Sequence, residues 1–440
     1  MTSFWNRGMG ENKRRWYPFL GAIVGASCAL SMTWSMYYPL LMTKFAMAEV
    51  TPFAIGASCV GGCNMIAGPL IGGPLLDRKG PKLTFGLAII MFGVALACMF
   101  QLDGAQTWDV GRIWWIVGSS CAGFGIGLYS SSMSATTSKW NPDNVGWAIG
   151  IDNIGPSLAP FWAAPVASNI VPQLGIGPGF ALVFGIAICG LFFFGFLPFR
   201  SPDPGWKPKD PVKKKEGEKK SLAQEANERD IPLSQVFRSP KLYAMSAMVI
   251  CLCIGYMTFT TNLSTFFIEG QSSYLGQAAA VSLSATVMSI GSIVNTCGRP
   301  VFGMLTDKLR SPWKTLAIIY GCFIAALVFL AFVYQQPGIL ICVATVVIYL
   351  FGGGAAPVQM STAPSLFGTK NSGILISVTL ISNGIAWIIA PIIGSSIYDA
   401  TGTYMGALYV MIAGVCVSFI IAMTMRRLEV KEAKAKNMES

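Results

Sequence analysis

Two ionisable residues, Asp152 and Arg299, lie inside otherwise apolar stretches of the sequence. A charge in the interior of a bilayer is costly, so residues of this kind usually face a cavity or a partner and are candidates for function. Arg299 offers a planar fork of N–H donors that fits a carboxylate group. Asp152 can carry a proton, because burial disfavours its ionised form whereas a nearby guanidinium favours it.

These two charges allow more than one interpretation. We predict that Arg299 binds an anionic substrate; the alternative is a structural partner of Asp152 or of backbone carbonyl groups. Asp152 is either a proton-coupling residue or one member of a structural ion pair with Arg299. If the substrate and Asp152 compete for Arg299, substrate binding promotes protonation of Asp152.

The whole chain has the composition of a membrane protein. Its 440 residues are 53% hydrophobic and 12% charged, with a mean hydropathy of +0.57, whereas a soluble domain is about 25% charged. The long apolar runs do not alternate with polar residues, which indicates helices of about 20 residues rather than barrel strands. We therefore predict an all-α membrane protein with twelve transmembrane helices. The predicted spans are 17–44, 51–76, 83–101, 113–138, 145–170, 175–198, 242–268, 276–305, 315–335, 337–366, 371–397 and 402–425.

Lysine and arginine are concentrated in every second predicted loop, and such an excess marks the cytoplasmic side. Both termini are therefore predicted to be cytoplasmic, in a multi-pass protein of the cell (inner) membrane. Since this asymmetry accounts for the net charge of +11, no nucleic-acid partner is expected. The basic side receives Arg7, Lys13, Arg14, Arg15, Arg78, Lys79, Lys82, Lys139, Lys308, Arg310, Lys314, Lys370, Arg426 and Arg427.

An internal repeat relates the two parts of the chain. Gly68-Pro69-(x3)-Gly73-(x3)-Asp77 matches Gly298-Arg299-(x3)-Gly303-(x3)-Asp307 at an offset of 230 residues. A second match, at an offset of 227, sets Gly125, Gly127, Met133, Ser134 and Gly146 against Gly352, Gly354, Met360, Ser361 and Gly373. Duplications of this size are typical of transporters with two pseudo-symmetric six-helix halves. We predict halves at 1–198 and 242–426, a cytoplasmic linker at 199–241 and a cytoplasmic tail at 427–440.

The repeat also shows which residues correspond to Arg299 and Asp152 in the other half of the chain. Arg299 replaces Pro69, so the duplicated scaffold does not require an arginine there, and Asp152 corresponds to Thr379. Arg299 lies eight residues before Asp307, or about 12 Å along the helix, and Asp152 lies about 10 Å into its span. The two charges are therefore predicted at similar depth.

The repeated Gly-(x3)-Asp element ends the second and eighth predicted helices. Glycine permits close helix approach, and the acid with its following cations can form inter-helix ion pairs or helix-end contacts. We predict a role in conformational gating for Gly73, Asp77, Arg78, Gly80, Gly303 and Asp307.

Several motifs carry a family resemblance. The run from Gly72 to Lys82 resembles the loop 2–3 signature of the major facilitator superfamily. Further motifs are similar to the oxalate/formate antiporter branch, which is related to monocarboxylate porters. They are Gly123-Phe124-Gly125-Ile126-Gly127-Leu128-Tyr129, Lys139-Trp140-Asn141-Pro142-Asp143 with Gly146, Cys297-Gly298-Arg299-Pro300-Val301-Phe302-Gly303 with Asp307, and Phe367-Gly368-Thr369 with Asn371-Ser372-Gly373.

The resemblance implies that Arg299 binds the substrate carboxylate. The second cation of the oxalate transporter, a lysine, falls on Thr379 here, which favours a substrate with one carboxylate over oxalate. The stretch from Trp34 to Tyr38 is similar to the aromatic region of the family's substrate cavity.

Other polar or aromatic residues within spans are weaker candidates for substrate binding, because ordinary helix packing or a satisfied polar contact also explains each of them. These candidates are Trp34, Tyr37, Tyr129, Asn262, Gln359, Thr379, Ser382 and Asn383.

We predict a secondary active transporter of a small carboxylate anion, working by alternating access with proton symport or anion exchange. The alternatives are an oxalate/formate-type dicarboxylate exchanger, an exporter of a hydrophobic solute and a sensor on the same scaffold. An enzyme is not expected, because the chain has no histidine and no nucleophile–base or metal-ligand pattern. The expected partners are the small organic anion, a proton and the lipid bilayer, with no cofactor or metal, and the chain is expected to be a monomer.

Overall fold

The computed structural model describes residues 8–203, 206–209, 231–367 and 372–439. These residues are helical throughout their ordered elements, with no strand among them, which confirms the prediction of an all-α protein. The predicted lysine run at 213–220, together with Gly368, Thr369, Lys370 and Asn371, lies outside the described residues. Of Gly146, Asp307, Ser361 and Gly373, only the helical backbone is described.

We label the helical segments α1 to α12 in chain order. In the first part of the chain they are α1 Glu11–Phe45, α2 Thr51–Lys79, α3 Pro81–Gly104, α4 Trp108–Trp140, α5 145–174 and α6 Ile176–Phe196. In the second part they are α7 240–275, α8 Gln277–Leu309, α9 Pro312–Val333, α10 Leu340–Phe367, α11 Ser372–Thr401 and α12 Met405–Glu439.

Ten of these segments, all except α4 and α5, are long and apolar enough to cross a membrane. Segment α4 is interrupted by many serine, threonine and glycine residues, and α5 is broken at Asn153. The chain is thus a multi-span membrane protein, whereas the count of twelve spans stays a prediction.

Short glycine and proline turns connect several segments. Gly80 (φ 82°) alone separates α2 from α3, and Pro81 then starts α3. A positive φ suits glycine because it has no Cβ, and proline suits the first helical position because its missing N–H has no partner there. One side of the protein carries this turn, the α4–α5 turn and residues 199–203 and 206–209. We call this side the linker face and the opposite side the distal face.

Two segments change direction within their length. In α1 the helix breaks at Ala29 (φ −80°, ψ 64°), and a 3₁₀ stretch follows over Leu30–Tyr37. In α7 the break is at Asn262 (φ −119°, ψ 14°). Irregular backbone at membrane depth must be paired within the protein, and Asn262 meets this need by donating to the carbonyl oxygens of Thr258 (3.0 Å) and Pro391 (3.4 Å).

The segments α1 to α6 pack mainly against one another, as do α7 to α12. Among the described residues, the main pairs that join these groups are α2 with α11, α5 with α8, and α1 with α7. The limits of the two predicted halves nevertheless stay a prediction.

The joining contacts are close and involve small residues. A side chain on Gly61 would collide with the indole of Trp387, and Ser289 donates to the Phe161 carbonyl (3.0 Å). The Ser264 hydroxyl donates to the carbonyl oxygen of Ser35. By contrast, the parts of α2 and α5 nearest the linker face, 68–79 and 145–152, pack against α1, α3 and α4 of their own group.

Candidate functional site

Arg299 lies on α8 and is only partly exposed. Its Nε atom is buried and has no hydrogen-bond partner. Within the part of the chain that the structure describes, its guanidinium forms neither an ion pair nor a hydrogen bond. The structure thus supports neither structural alternative for this arginine, a bond to Asp152 or to backbone carbonyls.

The surroundings of Arg299 on α8 indicate a space beside it. Gly303 lies four residues further, on nearly the same face of the helix, and a Cβ added there would meet no described residue within 4 Å. Gly73 is the counterpart of Gly303 in the repeat. Among the described residues, a Cβ added to Gly73 would contact only the carbonyl oxygen of Gly68 in its own segment, at 3.9 Å. Neither repeated glycine is therefore packed closely against another helix among the described residues.

Two side chains of the second group lie close to Arg299 or to the turn of α8 that carries it. Tyr256 on α7 lies against the turn of α8 that precedes Arg299. Asn295, one turn before Arg299, donates to the Tyr256 hydroxyl (3.1 Å) and to the backbone carbonyl of Tyr349 on α10 (3.1 Å). The sequence did not single out these residues, because the contacts join three separate segments.

Asp152 is fully buried in the first group of helices. Its Oδ2 accepts a hydrogen bond from Ser134 on α4 (2.8 Å), whereas its Oδ1 is buried without a partner. It packs directly on Gly21 of α1, where an added Cβ would collide with Oδ1. Asp152 and Arg299 do not form an ion pair here, so the prediction of a structural pair is not supported in this conformation.

The aromatic candidates lie in the core of the first group. Trp34 is 1% exposed, donates to Ser119 (3.1 Å) and packs on Trp115. Tyr37 stacks on Phe180 with ring centroids 4.4 Å apart, and its hydroxyl is buried without a partner. These contacts give Trp34 a packing role and leave the Tyr37 hydroxyl available.

Tyr129 on α4 is also buried, with 1% exposure. It lies on the same segment as Ser134, which donates to the Asp152 carboxylate (2.8 Å).

The polar candidates of the second group divide by their contacts. Gln359 donates to Tyr320 (2.9 Å), and the hydroxyls of Thr379 and Ser382 donate to carbonyls one turn back in their own helix. The Asn383 side-chain oxygen is buried without a partner, as is that of Asn262. Gln359 therefore has a satisfied structural contact, whereas the two asparagines keep free acceptors.

The predicted gating residues lie at the linker face. The Asp77 carboxylate pairs with Lys139 (2.7 Å), which ties the end of α2 to the end of α4. This contact matches the predicted ion pair between helix ends. Both partners are well exposed, at 69% and 41% of their side chains, so the pair contributes little to stability.

A second cluster at the linker face was not predicted. Arg14 bonds both carboxylate oxygens of Asp143 (2.7 and 3.1 Å), and Arg15 adds a third bond (2.9 Å). The indole of Trp140 donates to the carbonyl of Arg200 (2.7 Å). These contacts hold the start of α1 and residues after α6 against the α4–α5 turn.

Comparisons with known proteins agree with this architecture. A family model described as Major Facilitator Superfamily matches residues 19–357. A structure of the nucleoside transporter NupG superposes with a TM-score of 0.64 at 12% identity, covering 93% of this chain and 99% of that one. At that identity the likeness shows the fold alone.

Two curated relatives are more informative about chemistry. The oxalate:formate antiporter of Oxalobacter formigenes is 23% identical over 306 residues, covering 68% of this chain and 65% of the antiporter. This chain thus matches just under two thirds of that relative's length. The 3-(3-hydroxy-phenyl)propionate transporter of Escherichia coli (strain K12) is 26% identical over 313 residues, covering 70% of this chain and 68% of that protein.

Proposed function

Because the chain belongs to the Major Facilitator Superfamily, whose members are transporters and not enzymes, we propose that it is a secondary active transporter of a small carboxylate anion. The proposed substrate is a monocarboxylate. Both relatives described above are named for transport of carboxylates.

The single observation that carries this proposal is the unpartnered guanidinium of Arg299. A buried or partly buried arginine costs free energy unless an acceptor satisfies its donors. The described residues supply no such acceptor, and Gly303 leaves space on the same face of α8. A carboxylate can accept two parallel hydrogen bonds from the guanidinium, which gives both affinity and orientation.

The preference for one carboxylate rests on Thr379. A dicarboxylate is best neutralised by two cations, and the resemblance places the second cation at this position. Thr379 is neutral and its hydroxyl bonds to the Leu375 carbonyl (3.2 Å). An oxalate/formate-type dicarboxylate exchanger is therefore the less favoured alternative.

Alternating access is the proposed mechanism. In it, residues 1–198 rock against residues 242–426, joined by the linker at 199–241, with Gly73, Asp77, Arg78, Gly80, Gly303 and Asp307 in gating. The contacts of α2 with α11 and α5 with α8 hold this conformation together towards the distal face. The lack of close packing at Gly73 and Gly303 among the described residues is compatible with movement of these helix ends. We propose that this face and both termini are cytoplasmic, in a monomer with twelve spans in the inner membrane.

Asp152 is the proposed proton-coupling residue. Its Oδ1 has no hydrogen-bond partner and is shielded from solvent, so a proton on this oxygen removes a costly buried charge. Proton symport uses this site directly, whereas anion exchange does not require it. The wild-type response to a pH gradient separates these two modes.

A hydrophobic-solute exporter is the remaining alternative. The many methionine and aromatic residues suit such a substrate, but a neutral solute leaves the Arg299 donors unsatisfied.

Reconstitution into liposomes tests the proposal. Purified protein would be given labelled acetate, lactate and oxalate, with and without an inward proton gradient. We expect saturable uptake of a monocarboxylate that exceeds uptake of oxalate. If the protein carries none of these anions but moves a neutral hydrophobic dye, the proposal is wrong and the exporter alternative is correct.

A further inference from the structure

Tyr256 is held rigidly against the turn of α8 that leads to Arg299, because Asn295, four residues before Arg299, donates to its hydroxyl. Its ring packs on Tyr349 (centroids 6.1 Å apart, 79° between planes) and on Phe323 of α9 (6.2 Å). Gly352 lies against the same ring so closely that any side chain there would collide with it. Tyr256 is 6% exposed, so its hydroxyl has little freedom to move.

The direction of the hydrogen bond to Tyr256 follows from Asn295. The backbone carbonyl of Tyr349 can only accept, so the Asn295 amide must turn its NH₂ group towards it. The same nitrogen lies 3.1 Å from the Tyr256 hydroxyl. That hydroxyl therefore accepts, and its own hydrogen is left without an acceptor among the described residues.

Tyr256 and Arg299 thus present donors to the same region. The hydroxyl hydrogen of Tyr256 and the guanidinium N–H groups both need acceptors, and buried polar groups are rarely left unpaired in proteins. An anion supplies such acceptors; a cation or an apolar group does not.

Resting on the proposed function, we propose that the Tyr256 hydroxyl donates a hydrogen bond to the same substrate carboxylate that Arg299 binds, with Asn295 as its positioning residue. Tyr256 then supplies part of the recognition that a second cation supplies in the resembled oxalate transporter. A hydroxyl adds a donor without adding charge, which suits a single carboxylate better than two.

This arrangement also predicts discrimination against the amide of the same acid. A carboxylate has only acceptors towards Arg299 and Tyr256, whereas a primary amide directs an NH₂ group against these donors. Sites built to pair with one polar group strongly reject an analogue that leaves it unpaired. Labelled lactate uptake would be measured with unlabelled lactate or lactamide as competitor. We expect the concentration that halves uptake to be at least about tenfold higher for lactamide than for lactate.

The test compares Tyr256→Phe with Tyr349→Phe in lactate uptake by liposomes. Both variants remove one hydroxyl from a pair of tyrosines that pack edge to face. The Tyr349 hydroxyl is buried without a partner among the described residues, which makes Tyr349→Phe a matched control. We expect KM to rise about tenfold in Tyr256→Phe with little change in the maximal rate, as loss of a bond to a charged group predicts. Tyr349→Phe is expected to match the wild type.

A double mutant distinguishes a shared carboxylate from a general loss of packing. If Tyr256 and Arg299 bind one group, adding Tyr256→Phe to Arg299→Lys raises KM by clearly less than the product of the single effects. The role of Tyr256 is wrong if the two substitutions have multiplicative effects on KM, or if the KM of Tyr256→Phe is within about twofold of the wild type. Neither outcome contradicts the proposed function. If wild-type protein transports neither acetate, lactate nor oxalate, the proposed function itself is wrong, and the inference falls with it.

Discussion

The carboxylate of Asp399, near the end of α11, accepts a hydrogen bond of 2.7 Å from the backbone N–H of Val50, just before α2. Its second oxygen accepts from the N–H of Thr51 at 2.8 Å. The first N–H groups of a helix have no partner within it, and an acid near that end is stabilising. A residue of one helix group thus caps a helix of the other at the distal face.

This cap predicts that Asp399 helps to keep the distal face closed. In Asp399→Ala, the first amides of α2 lose their acceptors, at a cost of about 1 kcal/mol. We expect faster hydrogen exchange in peptides covering 48–56 and greater opening of the distal face. Mass spectrometry of exchanged protein in detergent measures this effect.

Asp109→Ala is the matched control for Asp399→Ala. Asp109 also lies at the start of a helix, but its side chain is 82% exposed and contacts Arg112 of the same helix. If peptides 48–56 exchange equally in both variants and in the wild type, Asp399 does not hold the distal contact.

The Arg14–Asp143 cluster predicts a large effect on stability. The two side chains are only 7% and 8% exposed, and removing the Asp143 carboxylate takes away a buried counter-charge of Arg14 and Arg15. We expect Asp143→Ala to cost about 3 kcal/mol and to lower the apparent unfolding temperature in detergent. Glu11→Gln is the control, because Glu11 pairs with Lys209, which is 84% exposed, and such pairs contribute at most about 1 kcal/mol. Equal unfolding temperatures for the two variants would refute this account of the cluster.

Replacing Asp152 is expected to change proton coupling and not lactate binding. Asp152→Asn keeps the shape of the side chain and its contact with Ser134 but cannot gain or lose a proton. We expect lactate uptake to stop responding to an imposed pH gradient, while exchange of internal for external lactate continues. Liposome uptake at a clamped membrane potential measures both modes. A wild-type response to the gradient in Asp152→Asn would show that the acid does not carry the proton.

The sequence predicted the two buried charges because ionisable residues stand out in apolar runs. It also predicted the helix-end contact of Asp77, since the repeat placed an acid and cations at a loop. It could not identify Tyr256, because a tyrosine in an apolar run looks like ordinary core. Its partners Asn295 and Arg299 lie on another segment, and only packing brings them together.

The same limit applies to Asp399 and to the pairing of Asp152. Asp399 appeared as one loop acid among several, because its acceptor role depends on backbone groups 349 and 348 residues away in sequence. Asp152 and Arg299 were predicted at similar depth, but depth does not fix which helix face carries a side chain. In the structure, Asp152 points instead to Ser134 and Gly21.

Uptake of a labelled monocarboxylate by liposomes containing wild type, Arg299→Ala and the exposed control Arg112→Ala tests the central claim most directly. Arg299 is expected to bind the substrate carboxylate, so Arg299→Ala should lose at least about 100-fold in uptake efficiency, as removal of one partner of a buried charge pair predicts. Arg112, with a side chain that is 57% exposed, should be dispensable. Wild-type uptake by a correctly folded Arg299→Ala protein would contradict the claim.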